Sequence, residues 1–317
     1  MSAARHPASQ LSRRAALATG IAAGAAWAWG AAAEAPSPRS LPLIRKPIPS
    51  TRELLPVVGI GTNNFTAASP EELAARREVL QKLPELGGSV VDTAAIYGES
   101  EEVIGRDMTA LHLRDQLFLS TKVWVRGGGI EQGKAQIESS FKKLQTSRID
   151  LLHVHNLAFT DAMIPVLEQL KQAGRIRYVG MTTSFAGQHA EMVAAMKAHP
   201  VDFIQIDYSI GNRVAAKDVL PLALDKGIAV MLNIPFGRAS LLRKASTHPL
   251  PDWAAEIDAT SWAQVMLKYA LSHPAVTCAV PGTTKVAHLE DNLAGGRGRL
   301  PDAALGRRME QTWDALS

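Results

Sequence analysis

Cysteine is all but absent from this chain. The single thiol among 317 residues, Cys278, excludes an internal disulfide. It sits in Ala275-Val-Thr-Cys-Ala-Val280, a run with the character of a buried strand, and reads as a small core residue rather than a reactive thiol. Metal-binding spacing is missing too: the nine histidines are scattered, with neither H-E-x-x-H nor C-x-x-C, so no metal site is expected. Aromatics make up only 5% of the residues and nowhere interleave with a basic patch, which removes nucleic acid as a partner. Charged residues account for 20% and apolar ones for 46%, the balance of a globular protein with a sizeable core.

Acidic residues are missing altogether from the first 33 positions, which carry Arg5, Arg13 and Arg14. Those three arginines supply most of the formal net charge of +4, and the rest of the chain is nearly balanced. Ser12-Arg13-Arg14 precedes a run of uncharged residues from Ala15 to Ala33, mostly Ala and Gly. Small-residue cleavage sites follow at Ala31-Ala-Ala33 or Ala33-Glu-Ala35. A basic start, a weakly apolar middle and an A-x-A end make a signal peptide, and the paired arginines point to the twin-arginine route. The run is long enough to act as an uncleaved anchor, but Ala and Gly make a poor one, so no stable membrane insertion is expected after cleavage. The expected organisation is a signal peptide over 1–33, a proline-rich linker over 34–43 and one domain over 44–317. It implies the export machinery as a partner and the bacterial periplasm as the destination.

What the chain does have is alternation. Strand-like apolar runs recur at Val57–Ile60, Ser89–Asp92, Leu117–Lys122, Ile149–His155, Ile176–Met181, Asp202–Ile206, Ile228–Leu232 and Val276–Val280. Helix-length segments lie between them, at Pro70–Leu86, Ile130–Leu144, Asp161–Gln172, Ala186–His199, Lys217–Asp225 and Ser261–Ser272. Ser69-Pro70 offers a cap followed by a proline in the first turn, and Gly87, Gly174 and Gly227 stand where helices should stop. Eight β/α units in this length predict an α/β fold, a (β/α)8 barrel rather than an open sheet. A Rossmann site is disfavoured: Gly59-Ile-Gly-Thr-Asn-Asn64 lacks the third glycine, and Gly127-Gly-Gly129 reads as a flexible loop.

In such a barrel the C-terminal strand ends converge on one rim. Asp92, Lys122 and His155 end the second, third and fourth candidate strands, and Tyr97 follows Asp92 by five residues. A free phenol has a pKa of about 10, and a neighbouring ammonium stabilises its phenolate. Lys122 is placed to supply that ammonium, with Asp92 holding the lysine charged and oriented. His155 would donate a hydrogen bond to a substrate oxygen or join the proton relay. The set suits giving a proton to an oxygen that gains negative charge, as when a carbonyl receives a hydride. His153, two residues back on the same face, reads as a satisfied interior histidine. Trp124 is a candidate wall of a pocket shaped by the loops 123–129 and 238–253.

Several motifs resemble aldo-keto reductases. They are Leu55-Pro-Val-Val-Gly-Ile-Gly-Thr62, Val91-Asp-Thr-Ala-Ala-Ile-Tyr-Gly-Glu-Ser-Glu101, Ser120-Thr-Lys122, Asp150-Leu-Leu-His-Val-His155 and Gly174-Arg-Ile-Arg-Tyr-Val-Gly180. Pro281-Gly-Thr-Thr-Lys285 and Leu289-Glu-Asp-Asn292 complete the series. The resemblance spans roughly residues 44–295. It implies a nicotinamide cofactor lying across the rim, hydride transfer to a carbonyl substrate, and Asp92, Tyr97, Lys122 and His155 as the catalytic set, with Tyr97 as acid/base. It places cofactor contacts at Gly61, Thr62, Thr182, Thr183, Gln205, Asn233, Pro235, Gly237, Thr283, Lys285, His288 and Asn292. Gln205 matches the glutamine that holds the carboxamide, whereas Thr182-Thr183 replace a common Ser-Asn pair. Asn233 stands where a tyrosine usually stacks on the nicotinamide. Gly282 and His288 occupy positions where many members carry lysine and arginine against the 2′-phosphate. NADP(H) is the cofactor the resemblance implies, with NAD(H) left open.

Two functions remain in play on sequence. One is an exported NAD(P)H-dependent reductase of aldehydes or ketones. The other is an exported redox-sensing or binding barrel that keeps a captive cofactor with little turnover. A barrel hydrolase would need a carboxylate pair or a metal cluster at the rim, and neither is evident.

Overall fold

The computed structural model describes residues 41–66 and 69–316. The expected signal segment with its paired arginines, and the linker up to residue 40, lie outside the described residues.

The chain enters through a hairpin. β1 (Arg45–Pro47) pairs antiparallel with β2 (Leu54–Pro56), Lys46 opposite Leu55. The sequence offered only a proline-containing extended stretch here. The proline at the end of each strand confines these strands to an edge, which matches a separate two-stranded ribbon. The barrel strands follow: β3 (Ile60–Gly61), then α1 (Pro70–Glu85), β4 (Val90–Asp92), α2 (Ser100–Ala110), β5 (Phe118–Val123) and α3 (Gly129–Lys143). Next come β6 (Ile149–Val154), α4 (Thr160–Gln172), β7 (Ile176–Thr182), α5 (His189–Ala198), β8 (Phe203–Asp207) and α6 (Ala215–Lys226). The last part holds β9 (Ala229–Asn233), α7 (Ser240–Ala245), α8 (Trp262–Ser272), β10 (Val276–Ala279), α9 (Val286–Ala294) and α10 (Ala303–Ala315).

All pairings from β3 to β10 are parallel and sequential, and the ring closes where Val58 meets Ala279 and Gly61 meets Gly282. This is the expected (β/α)8 barrel. Glycine is required at the seam. A Cβ on Gly59 would come within 2.6 Å of Val90, and one on Gly61 within 2.7 Å of the Val280 carbonyl. The first barrel strand is shorter than the expected Val57–Ile60, yet Val57 and Gly59 still exchange hydrogen bonds with Ala279 at 2.9 Å.

Two cores hold the fold. One lies between the sheet and the helices. The other fills the barrel axis with Val90, Phe118, Leu151, Tyr178, Phe203, Met231 and Cys278, and the hairpin adds Ile48 and Leu55 to it. Cys278 is fully buried, and burial pushes its thiol far up, in keeping with a packing role. The alternation that sends Val90, Phe118 and Leu151 inward sends Asp92, Lys122 and His153 inward too, one or two steps nearer the C-terminal rim.

The helix ends follow their signals. The Ser69 hydroxyl accepts from the Glu72 amide at 3.2 Å ahead of Pro70, and Gly87, Gly174 and Gly227 all have positive φ at helix exits. α2 had no helical signature in the sequence because Glu101 is buried on its inner face, where it accepts from the Thr121 hydroxyl at 2.6 Å. A buried carboxylate breaks the apolar stripe that periodicity would detect. Gly127-Gly-Gly129 is a shaped turn rather than a loose loop: Gly127 and Gly129 both take left-handed φ, and α3 begins at the second of them.

Candidate active site

Asp92 ends β4, Lys122 lies one residue from the end of β5, and His155 directly follows β6. Their neighbouring strands bring them to one side of the rim. Tyr97 joins from the β4–α2 loop, which is tied down by Thr93 N–H to the Ser120 carbonyl (2.9 Å) and by Tyr97 N–H to the Ala94 carbonyl (3.0 Å).

Lys122 is 1% exposed, and its ammonium is held by two close acceptors. Nζ donates to Asp92 Oδ2 at 2.7 Å and to the Thr93 carbonyl at 2.6 Å. It also lies 5.1 Å from the centre of the Tyr97 ring. Asp92 is held in turn by the Ser120 hydroxyl on Oδ1 at 2.8 Å. Burial alone would strip the charge from Lys122, but the Asp92 carboxylate and the neighbouring phenol outweigh it and raise the ammonium above its ordinary value.

His155 stands edge-on to Tyr97, ring centres 6.0 Å apart, with Trp124 on its other side at 6.2 Å. Burial, and then the charge of Lys122, push its pKa down to about 3, so the ring is neutral near pH 7. Its Nδ1 is buried without a partner, leaving Nε2 to face the rim. His153 corrects one expectation. It is interior, as its alternation implied, but not satisfied: its polar contact with the Met181 backbone falls short of hydrogen-bond geometry, and both ring nitrogens are buried without partners. Burial, with Lys122 beside it, keeps this ring neutral as well. Gly180 makes room for it, since a Cβ there would lie 2.4 Å from Nδ1.

The opposite side of the rim is built from β7, β8 and β9. Thr182 opposite Gln205, and Asp207 opposite Asn233, are register neighbours that all point inward. The Gln205 amide oxygen accepts from Thr182 Oγ1 at 3.2 Å, while its Nε2 has only the weakly accepting Met231 thioether at 3.1 Å. Asn233 donates through Nδ2 to the Thr183 carbonyl at 3.1 Å, which leaves its Oδ1 buried with no donor. Asp207 Oδ2 accepts from Asn212 at 2.9 Å and its Oδ1 is likewise orphaned. Burial raises this carboxyl above its ordinary value, against Asn212 and the charge of Arg238. Buried polar atoms in a folded protein are almost always paired. A primary carboxamide, with one acceptor and two donors, would complete Gln205 Nε2 and Asn233 Oδ1 together.

The remaining expected cofactor positions divide. The Thr62 hydroxyl donates to the Asp92 carbonyl at 2.9 Å and accepts from Ser100 at 3.0 Å, so it pins the β3 end to β4. Thr183 Oγ1 is engaged by Gln188 at 2.5 Å. Thr283 donates to the Pro281 carbonyl at 2.9 Å and accepts from Asn292 at 3.1 Å, which shapes the turn before α9. Lys285 and His288 are exposed at the start of α9, and Gly61 closes the seam beneath this segment. Pro235 and Gly237 follow β9 in a loop where Ile234, Gly237, Arg238 and Ala239 all take positive φ. Sequence reasoning missed Asp207. An inward acidic residue two places after Gln205 was the signal available. Among the described residues no cluster of metal-ligating side chains exists.

The profile of the aldo/keto reductase family matches residues 57–308 of this chain. The chain belongs to that family. Methylglyoxal reductase YeaE of Escherichia coli (strain K12) is 29% identical over 260 residues, covering 79% of this chain and 89% of that protein. L-galactose dehydrogenase of Arabidopsis thaliana is 26% identical over 72% of this chain and 78% of its own length. Among solved structures, an aldo-keto reductase from Klebsiella pneumoniae in complex with NADPH superposes with a TM-score of 0.72 at 22% identity. That superposition covers 86% of this chain and 96% of that one, and it establishes the shared fold.

Proposed function

We propose that this aldo-keto reductase reduces an aldehyde or ketone to an alcohol with NADPH, with Tyr97 as the general acid, outside the cytoplasm. The observation that carries the reading is Lys122. A fully buried ammonium, held by the Asp92 carboxylate and the Thr93 carbonyl, lies beside the Tyr97 ring, 5.1 Å from its centre.

A nicotinamide cofactor, when bound, would supply a hydride to the carbonyl carbon. Gln205 and Asn233 would hold its carboxamide through the poorly matched Nε2 and the unpaired Oδ1, and the exposed Lys285 and His288 would be available to its 2′-phosphate. Neutral His155 donates from Nε2 to the substrate oxygen, in the tautomer that carries its proton there, and so sets the carbonyl beside the phenol. As negative charge develops on that oxygen, Tyr97 passes its proton to it. The phenolate left behind is stabilised by Lys122, which Asp92 and the Thr93 carbonyl keep in place, and it regains a proton from solvent. Preference for NADPH over NADH draws support from structural neighbours solved with NADP or NADPH, and from Lys285 and His288.

Two tests apply. Purified protein lacking residues 1–33 should consume NADPH with members of an aldehyde and ketone panel, and fluorescence titration should show tighter binding of NADPH than of NADH. No consumption across the panel defeats the activity, and tighter NADH binding defeats the cofactor preference. For export through the twin-arginine route to the periplasm, Arg13→Lys with Arg14→Lys should leave precursor in the cytoplasm; normal export of that double variant discards the assignment.

A further inference from the structure

Lys122, Trp124 and Arg126 occupy alternate positions as the chain leaves β5. Between them, Val125 is buried toward the helices, where its Cγ2 packs against Gly133 of α3. Just past the end of β5, the Trp124 indole reaches the His155 ring, centres 6.2 Å apart, and so stands at the rim. The segment is fixed at both ends: Trp124 N–H donates to Gln136 Oε1 at 2.6 Å, and the two left-handed glycines, Gly127 and Gly129, turn the chain into α3. Arg126 folds back onto the indole, its guanidinium carbon 3.9 Å from the ring centre, and the same indole flanks His155.

A guanidinium stacked in this way keeps its N–H groups directed outward in its own plane. Among the described residues no carboxylate pairs with Arg126. Glu131, the nearest carboxylate along the chain, is engaged by Lys134 at 2.8 Å. The mouth of the site thus holds, in Arg126, an exposed cation without an ion-pair partner, stacked on the indole that flanks His155.

From this placement we infer that the substrate is a carbonyl compound carrying a carboxylate, an oxo acid or aldehyde acid, whose carboxylate is gripped by Arg126 while its carbonyl lies between Tyr97 and His155. The inference rests on the reductase reading and names the substrate class for it. The planar fork of arginine matches a carboxylate in two parallel hydrogen bonds, and the indole covers the apolar span between the two ends.

The test compares 4-carboxybenzaldehyde with benzaldehyde, which differ only in the carboxylate. With NADPH, the wild-type ratio of kcat/KM should favour the carboxylated aldehyde by about tenfold or more, and Arg126→Leu should bring that ratio close to one. Failure of both aldehydes to consume NADPH would fault the reductase reading, so a second readout is independent of turnover. Calorimetry in the presence of NADP+ should show tighter binding of 4-carboxybenzaldehyde than of benzaldehyde to wild type and no such difference in Arg126→Leu. Equal binding to wild type, or a preference that survives in Arg126→Leu, overturns the role of Arg126.

Discussion

The two sides of the rim are built on opposite plans. On the β4–β5 side, Asp92, Lys122, Ser120 and Thr93 satisfy one another, with the Tyr97 ring beside the ammonium. On the β7–β9 side, Gln205, Asp207 and Asn233 are equally inward but are left with orphaned or poorly matched polar atoms. The first side is finished by the protein itself. The second leaves polar atoms without protein partners, at a cost of about 1–3 kcal/mol each, and on the proposed reading the cofactor completes them. On the proposed reading, preorganised charge resides where the proton moves, and unfilled hydrogen-bonding capacity where the cofactor would be held.

Breaking the self-satisfied side should cost most. Lys122→Met leaves the Asp92 carboxylate buried without its counter-ion, and should lower unfolding stability by about 3 kcal/mol or more, besides ending turnover. Denaturant unfolding measures the loss, and a change under about 1 kcal/mol would show that the pair is not the closed unit described. Breaking the open side should behave in the reverse way. Asn233→Leu should weaken NADPH binding about tenfold, the worth of one hydrogen bond, yet change the stability of the cofactor-free protein by less than about 1 kcal/mol. Calorimetric titration paired with thermal melts reads both. If NADPH affinity is unchanged, Asn233 does not hold the carboxamide.

A smaller effect separates the histidines from both sides. His155 titrates near 3 when folded and His153 well below its ordinary value, against about 6.5 in an unfolded chain. Because the folded values are depressed, the stability they confer is complete above pH 6.5 and is lost as pH falls toward 3. Unfolding midpoints taken between pH 7.5 and pH 4.5 should fall less steeply in His153→Leu than in wild type. Parallel slopes would mean that His153 takes up no proton on unfolding in this range.

How much of this was legible depends on range. The eight strands, and the convergence of Asp92, Lys122 and His155, follow from a period of two and from the geometry of parallel strand ends, so the sequence carries them openly. Tyr97 needed only the short loop after Asp92. The β1–β2 hairpin was hidden because its pairing serves to plug the barrel floor with Ile48 and Leu55, a task invisible in local pattern. α2 was hidden by the buried Glu101, whose inward face is explained only once Thr121 stands opposite. The direction of the Asn233 amide, and with it the orphaned Oδ1, is set by the Thr183 carbonyl on a different strand. His153 was placed correctly but not its lack of partners, which depends on what the rest of the barrel offers at that depth.

The central claim is that Tyr97 delivers the proton while the other side of the rim holds the cofactor independently of it. Single-turnover mixing of the NADPH complex with a reducible aldehyde isolates the chemical step. Tyr97→Phe should slow that step by about a thousandfold, within the span usual for general acids, while its NADPH dissociation constant stays within about threefold of wild type. A single-turnover rate in Tyr97→Phe close to that of wild type would contradict the account.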